Sequence, residues 1–458
     1  MFHQRVCAVL AAIVCCGYLP LAAAEPYPST YKPLPSQSLL IKNATILTGT
    51  GERLDKASLL LVNGKIEALS ADGRMRNSAN AEILDAEGRW VTPGLIDVHS
   101  HLGVYPSPNI AAHSDGNEMT APVTAQVWAE HSIWPQDPGF SRALAGGITT
   151  LQILPGSANL IGGRSVTVKN VPSVSYQGMK FPGAPQGLKM ACGENPKRVY
   201  AELKLAPSTR MGNVAGYRAQ WVEAQKYILD WQEFDAPQEP GTEPKLRPLR
   251  DLRLDTLAAV LRGEILVHVH CYRADEMMTM LDMADEFGYK ISAFHHAVEA
   301  YKVADQLAGR GVCGALWADW WGFKAEAYDG IQENIALVDR PAGACAIVHS
   351  DSEEGIQRLN QEAAKAMTRG RAAGMDITPA SAIRWLTANA AKSLGIADQT
   401  GTLEPGKMAD VVIWNGNPFS VYAKADQVFI DGALVFDRAE LARQPVSDFE
   451  LGQLQGVQ

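Results

Sequence analysis

Between residues 94 and 397 short apolar runs alternate with amphipathic stretches, and this alternation restricts the fold more than any other feature of the chain. Strands are expected at 95–99, 148–154, 165–170, 187–192, 265–270, 291–295, 312–317 and 344–349. Helical patterns fall at 137–146, 196–204, 216–234, 273–287, 298–309 and 353–373. Eight strands separated by helices favour an α/β fold, a closed parallel (β/α)8 TIM-like barrel, over a sandwich. Residues 102–136 and 171–186 read as loops over a site, and 235–250 as an exposed insertion rich in Pro and charge.

Two β-rich pieces flank this middle. Residues 36–93 contain a hairpin signal at Asn63-Gly64, and residues 398–438 have turns at Pro405-Gly406, Asn415-Gly416 and Asp431-Gly432. The economical arrangement is one small composite β-sandwich built from both ends, with the barrel spanning 94–397. Ahead of it, residues 1–24 combine Arg5, an apolar core and Ala22-Ala23-Ala24, the pattern of a cleavable signal peptide. A periplasmic or secreted protein is expected, with no membrane attachment after cleavage.

A formal net charge of −9 leaves no basic footprint for nucleic acid. Cys192, Cys271, Cys313 and Cys345 remain once the leader is removed. Each lies in or beside an apolar run, so buried free thiols are expected rather than disulfides. No CxxC occurs.

Seven of the ten histidines stand at four predicted strand ends: His99 and His101, His268 and His270, His295 and His296, and His349, which is followed by Asp351. Active-site groups of a β/α barrel project from the C-terminal strand ends. In a strand, residues two apart face the same side, so His99 and His101 can grip one cation. Imidazole and carboxylate donors suit zinc, and also manganese, iron or nickel.

These residues also carry a resemblance. VTPGLIDVHSH, the later histidine pairs, HSD at 349–351 and LTANAAKSLGIADQTGTLEPGKMADVVIW resemble the amidohydrolase superfamily, and more closely its imidazolonepropionase-like branch. The resemblance spans about residues 38–437. It implies a metal-bearing barrel with a small β-domain, and metal ligation by His99, His101, His268, His296 and Asp351. His268 is preferred over His270, which is then a substrate-side group, and His296 over His295. Relatives with two ions use a carboxylated lysine on strand four. Lys189 is the first candidate and Lys169 on strand three a rival, while Glu194 could bridge directly.

Asp351 is expected to serve as general acid/base beside an activated water, with His270 sharing stabilisation of the carbonyl oxygen. Arg164 or Arg273 could meet a substrate carboxylate. Residues 155–164, PGSANLIGGR, lack the G-K-[ST] ending of a phosphate loop. The expected protein is an exported hydrolase of C–N bonds, dependent on one or two divalent ions, zinc by ligand type, acting on a small-molecule amide or short peptide. A deaminase using the same metal and a catalytically silent metal-binding scaffold are the rivals. A homo-oligomer is the remaining partner expectation, since related barrels often pair.

Overall fold

The structure, a computed structural model, describes residues 26–77 and 80–444. The expected leader at 1–24 lies outside the described residues. No helix among those described is long and apolar enough to cross a membrane.

Two eight-stranded sheets organise the chain. The first uses both ends. It contains β1 (Leu39–Leu47), β2 (Arg53–Val62), β3 (Lys65–Ser70), β4 (Glu82–Asp85) and β5 (Trp90–Pro93). The second comprises β6 (Leu95–Ser100), β7 (Ile148–Ile153), β8 (Ile161–Lys169), β9 (Gly187–Ala191), β10 (Leu266–Cys271), β11 (Ile291–His296), β12 (Cys313–Leu316) and β13 (Ala346–Val348). The first sheet is completed by β14 (Val411–Trp414), β15 (Ala425–Ile430) and β16 (Ala433–Asp437). β14 pairs antiparallel with β5, which joins the two chain ends in one sheet. Asn63 and Gly64 both adopt positive φ and turn β2 into β3, as the hairpin signal requires.

The second sheet runs in chain order from β6 to β13 and curls into a nearly closed barrel. On β9 and β10 the residues turned to the helices, Leu188, Met190, Val267 and Val269, join an apolar core with them, while Lys189, His268 and His270 take the opposite face. One strand departs from expectation: β8 is antiparallel to both β7 and β9. The link from β7 to β8 holds no helix, only residues 154–160, so the chain reverses as a hairpin instead of crossing over. Gly163 in β8 has φ +122°, and a Cβ there would lie 2.4 Å from the Val127 carbonyl oxygen. The Gly162-Gly163 pair thus admits a close backbone neighbour. Helices occur where expected, with Ala304–Arg310 and Leu359–Ala372 each preceded by a short 3-10 turn. Residues 239–244 of the insertion are exposed.

The cysteines do not follow expectation. Cys192 is bonded to Cys271 and Cys313 to Cys345. Each pair joins neighbouring parallel strands, an adjacency that sequence spacings of 79 and 32 residues do not reveal.

Lys169, a rival candidate for a bridging lysine, is also corrected. Its Nζ lies 3.1 Å from Asp410 and 2.8 Å from Asp431, fully buried. It pins the end of β8 to the β-domain. Asp410 further accepts from Thr400 Oγ1 and the Asp431 amide, and Tyr31 donates to Asp431. Removing one member of a buried ion network leaves uncompensated charge. Lys169→Met is therefore expected to destabilise the chain by about 3–5 kcal/mol in urea denaturation, with both carboxylates left buried.

Candidate metal centre

The barrel mouth is built around the seam between β6 and β13. No ladder closes it; side chains and single backbone bonds do. The Asp351 amide donates to the His99 carbonyl at 3.0 Å, and the Ser350 amide donates to Asp97 at 3.2 Å. Ser350 Oγ also donates to Asp97. Asp97 is fully buried, and burial raises its carboxyl to about 7 against the bonds from Ser350 and His99. This seam sets Asp351 beside the two histidines of β6.

Four predicted residues meet there. Asp351 Oδ1 lies 3.2 Å from His101 Nε2 and 3.4 Å from His99 Nε2. Asp351 Oδ2 lies 3.8 Å from His296 Nδ1. Ligand atoms of His99, His101 and Asp351 fall within 4.8 Å of one another, as do those of His99, His296 and His349. Both His296 and Asp351 have left-handed backbone, with φ +69° and +53°. Such conformations in non-glycine residues cluster at functional sites. At His296 the turn matters directly. Strand alternation sends His295 inward and His296 away, and the left-handed step carries the second ring back to the mouth.

His268 and His270 also need correction. Both project from β10, but they occupy different layers. His268 Nδ1 is 2.9 Å from His295 Nε2, and His295 Nδ1 is 2.9 Å from His99 Nδ1. His268 therefore lies beneath the cluster, behind His99. His270 has its ring centroid 4.6 Å from that of His296, at the mouth. Both of its ring nitrogens are buried without a hydrogen-bond partner. The preference for His268 does not match this placement. Sequence reasoning also missed His295 and His349 as supports, although the doublet at 295–296 and the H-S-D stretch marked both positions.

Lys189 aligns with His268 in strand register, yet its longer side chain reaches upward. Its Nζ lies 3.2 Å from His99 Nε2. Burial lowers its amine to about 8, against the pull of Asp351. Glu194 begins the helix Glu194–Glu202 and faces Lys324 at 3.7 Å, outside the cluster. Arg164 bonds Thr256 and Gln186 and stacks on Trp128, and Arg273 pairs with Asp275, so neither points into the cluster.

The electrostatics favour a bound cation. Burial, then Lys189 and neighbouring rings, hold His99 well below the usual imidazole value. Burial and surrounding positive charge do the same for His270, and burial and neighbouring rings for His296. These rings are neutral and offer lone pairs. His101 Nδ1 donates to the Leu154 carbonyl at 2.9 Å, because a carbonyl only accepts. Its Nε2 is the atom that faces Asp351. Burial raises Asp351, but His101, His349 and Lys189 outweigh it and keep the carboxyl below its usual range. The neutral rings of His99, His270 and His296 thus gather around an ionised carboxylate. Such a donor set fits a divalent ion.

A cavity of about 320 Å3 opens onto His101 and Asp351, lined also by Tyr105, Asn109, Ser114 and Glu353. A larger cavity, about 950 Å3, lies at the opposite barrel end by Gln186 and Ile265 and reaches none of these histidines.

Residues 339–435 match the amidohydrolase family. A protein described as amidohydrolase tasK, from Hapsidospora irregularis, is 34% identical over 384 residues, 80% of this chain and 38% of that protein. The chain thus spans well under half the length of that relative. An imidazolonepropionase from Mesorhizobium japonicum is 25% identical over 79% of this chain and 87% of its own. The solved structure of an amidohydrolase from Thermotoga maritima MSB8 superposes with a TM-score of 0.79 at 36% identity, over 87% of this chain and all of that one.

The imidazole chain behind His99 yields a prediction. His295→Phe removes the ring that orients His99 without touching the mouth directly. Loss of such outer support is expected to weaken divalent-metal binding about 10–100-fold. Competition with a chromophoric chelator measures it.

Proposed function

The chain belongs to the amidohydrolase family, and on that premise we propose that it is an exported, metal-dependent hydrolase of amide or short-peptide C–N bonds. The observation that carries this reading is the convergence of ring nitrogens of His99, His101 and His296 on Asp351. The proposed ligands are His99, His101, His270, His296 and Asp351. His270 replaces His268 at strand five, because its two bare nitrogens stand at the mouth. As a ligand it no longer serves as the substrate-side histidine expected from sequence. A divalent ion held there, zinc by donor type, supplies Lewis acidity towards water and a substrate carbonyl.

The chain's own groups handle the protons. Asp351, whose carboxyl lies below its usual range, is ionised and accepts a proton from the attacking water. The new bond joins water oxygen to the carbonyl carbon, and the bond to nitrogen breaks. Asp351 returns the proton to that nitrogen, leaving a carboxylic acid and an amine. The seam holds Asp351 in place throughout, through its amide on His99.

Lys189 supports a two-ion form of the site. A buried amine near pKa 8, beside a neutral imidazole, is readily deprotonated. With carbon dioxide the free amine would give a carbamate and a proton, and Lys189 would then supply an anionic oxygen donor for a second cation. Export is favoured by the two disulfides, which persist in oxidising compartments, and by the leader pattern at 1–24.

Zinc-loaded protein is expected to hydrolyse members of a panel of N-acyl amino acids and dipeptides. Asp351→Asn should lower kcat by about 10²–10⁴-fold, the contribution of a positioned acid/base group. Ammonia release from exocyclic amines without amide cleavage would make the protein a deaminase, and no turnover at full metal loading would make it a scaffold. His270→Ala should lose bound zinc on gel filtration, whereas His268→Ala should retain most of it; metal analysis of both variants decides the strand-five ligand. Lys189→Ala should lose activity about 10–100-fold if the carbamate bridges two ions, with zinc content falling from two ions to one.

A further inference from the structure

The segment after β12, residues 317–330, carries Trp317, Trp320, Trp321, Phe323 and Tyr328 within fourteen positions. Nothing in the hydrolytic chemistry needs so many rings. Trp317 is buried and stacks on His296, centroids 4.2 Å apart at 28°. Tyr272, just past β10, stacks on the same His296 at 5.3 Å and 20°. Trp320 continues outward, stacked on Trp317 at 5.1 Å and 28°. Phe323 completes the group edge-on, 5.9 Å from Trp317 and 6.2 Å from Tyr272. The rings form a continuous wall from a proposed ligand to solvent, where Trp320 is 41% and Phe323 57% exposed.

The wall is held at both ends. Trp317 Nε1 donates to the Ser350 carbonyl at 3.2 Å, tying it to the residue before Asp351. Lys324 lies 3.9 Å over the Tyr272 ring and donates to Asn195 at 3.0 Å. Glu326 is buried in an ion pair with Arg210. Between these anchors the Gly322 amide closes the loop on the Ala327 carbonyl at 2.8 Å. The outer rings are therefore presented in fixed positions. The cavity bordering Asp351 is lined by none of these rings and includes the polar Asn109, Ser114, Ser352 and Glu353. The aromatic rings and the polar cavity are separate features bordering Asp351 and His296.

We propose that the Trp317–Trp320–Phe323–Tyr272 wall is a substrate subsite that takes a flat aromatic group carried next to the scissile amide. This rests on the reading of the mouth as an amide hydrolase, and it names the substrate class: aryl-bearing acyl amino acids or dipeptides. Trp320 and Phe323 are specificity-determining positions. Stacking on such rings contributes beyond simple burial.

The test uses the full chain loaded with zinc. Values of kcat/KM are compared for glycyl-phenylalanine against glycyl-alanine, and for benzoyl-glycine against acetyl-glycine. A preference of about tenfold or more for the aryl member of at least one pair is expected. It should fall to within about twofold in Trp320→Ala and Phe323→Ala, chiefly through KM, and survive in Trp320→Phe. Tyr422→Ala, at an exposed aromatic remote from the mouth, is the control and should leave the ratio unchanged. A second readout does not need turnover: quenching of tryptophan fluorescence by phenylalaninamide against alaninamide in metal-free protein. Tighter binding of phenylalaninamide, lost in Trp320→Ala, supports the subsite even if no amide is cleaved, in which case only the hydrolase reading fails. Hydrolysis without aryl preference, together with equal quenching by both amides, overturns the subsite. So does an equal loss on aryl and alkyl substrates in the alanine variants, or a change in self-association alone, which would make the rings a contact between copies.

Discussion

Everything at the barrel mouth depends on how the first and last strands meet. β6 and β13 share no ladder, so their relative height is set by Asp97 gripping Ser350 and by the Asp351 amide on the His99 carbonyl. That bond places a carboxylate within 3.4 Å of two imidazoles from the neighbouring strand. The backbone at Asp351 turns left-handed to achieve it. Local strain is tolerated because the surrounding seam over-determines the conformation.

Burial then decides the character of the groups gathered there. Six of the seven barrel histidines are held below the usual imidazole value, with desolvation the first cause in each. Packing neutral rings against one another costs little charge repulsion, and it allows the chain of contacts from His268 through His295 to His99. A donor at one end of such a chain sets the tautomer at the other. The same dry surroundings make an unpaired lone pair costly, so His270, with two bare nitrogens, is the residue that most needs a partner.

Around this centre the fold divides its labour. Lys169 and its two aspartates lock the β-domain to the barrel far from the mouth. The disulfides staple adjacent strands, one of them directly after His270. The loop beyond β12 is free of these structural duties and carries the aromatic wall. The GxLxPGKxAD stretch acquires a physical purpose as well: its Asp410 is the acceptor at the core of the inter-domain network.

The sequence by itself determined the alternation that makes a barrel, the pairing of both ends in one β-domain, and a rim rich in imidazole. Those features are periodic or local: apolar runs of strand length, H-x-H pairs two residues apart, and turns marked by glycine. Only the tertiary structure decided the rest. β8 runs antiparallel because its connection is too short for a crossover. Cys192 reaches Cys271 because their strands are neighbours, which linear spacing hides. His270 rather than His268 stands at the mouth because depth within a barrel depends on register against neighbouring strands. His296 enters through a backbone turn that reverses strand alternation, and Lys169 leaves the site because two aspartates from the distant end of the chain claim it. Periodicity specifies which face a side chain takes; height along the barrel and the identity of its neighbours are set only when the strands pack.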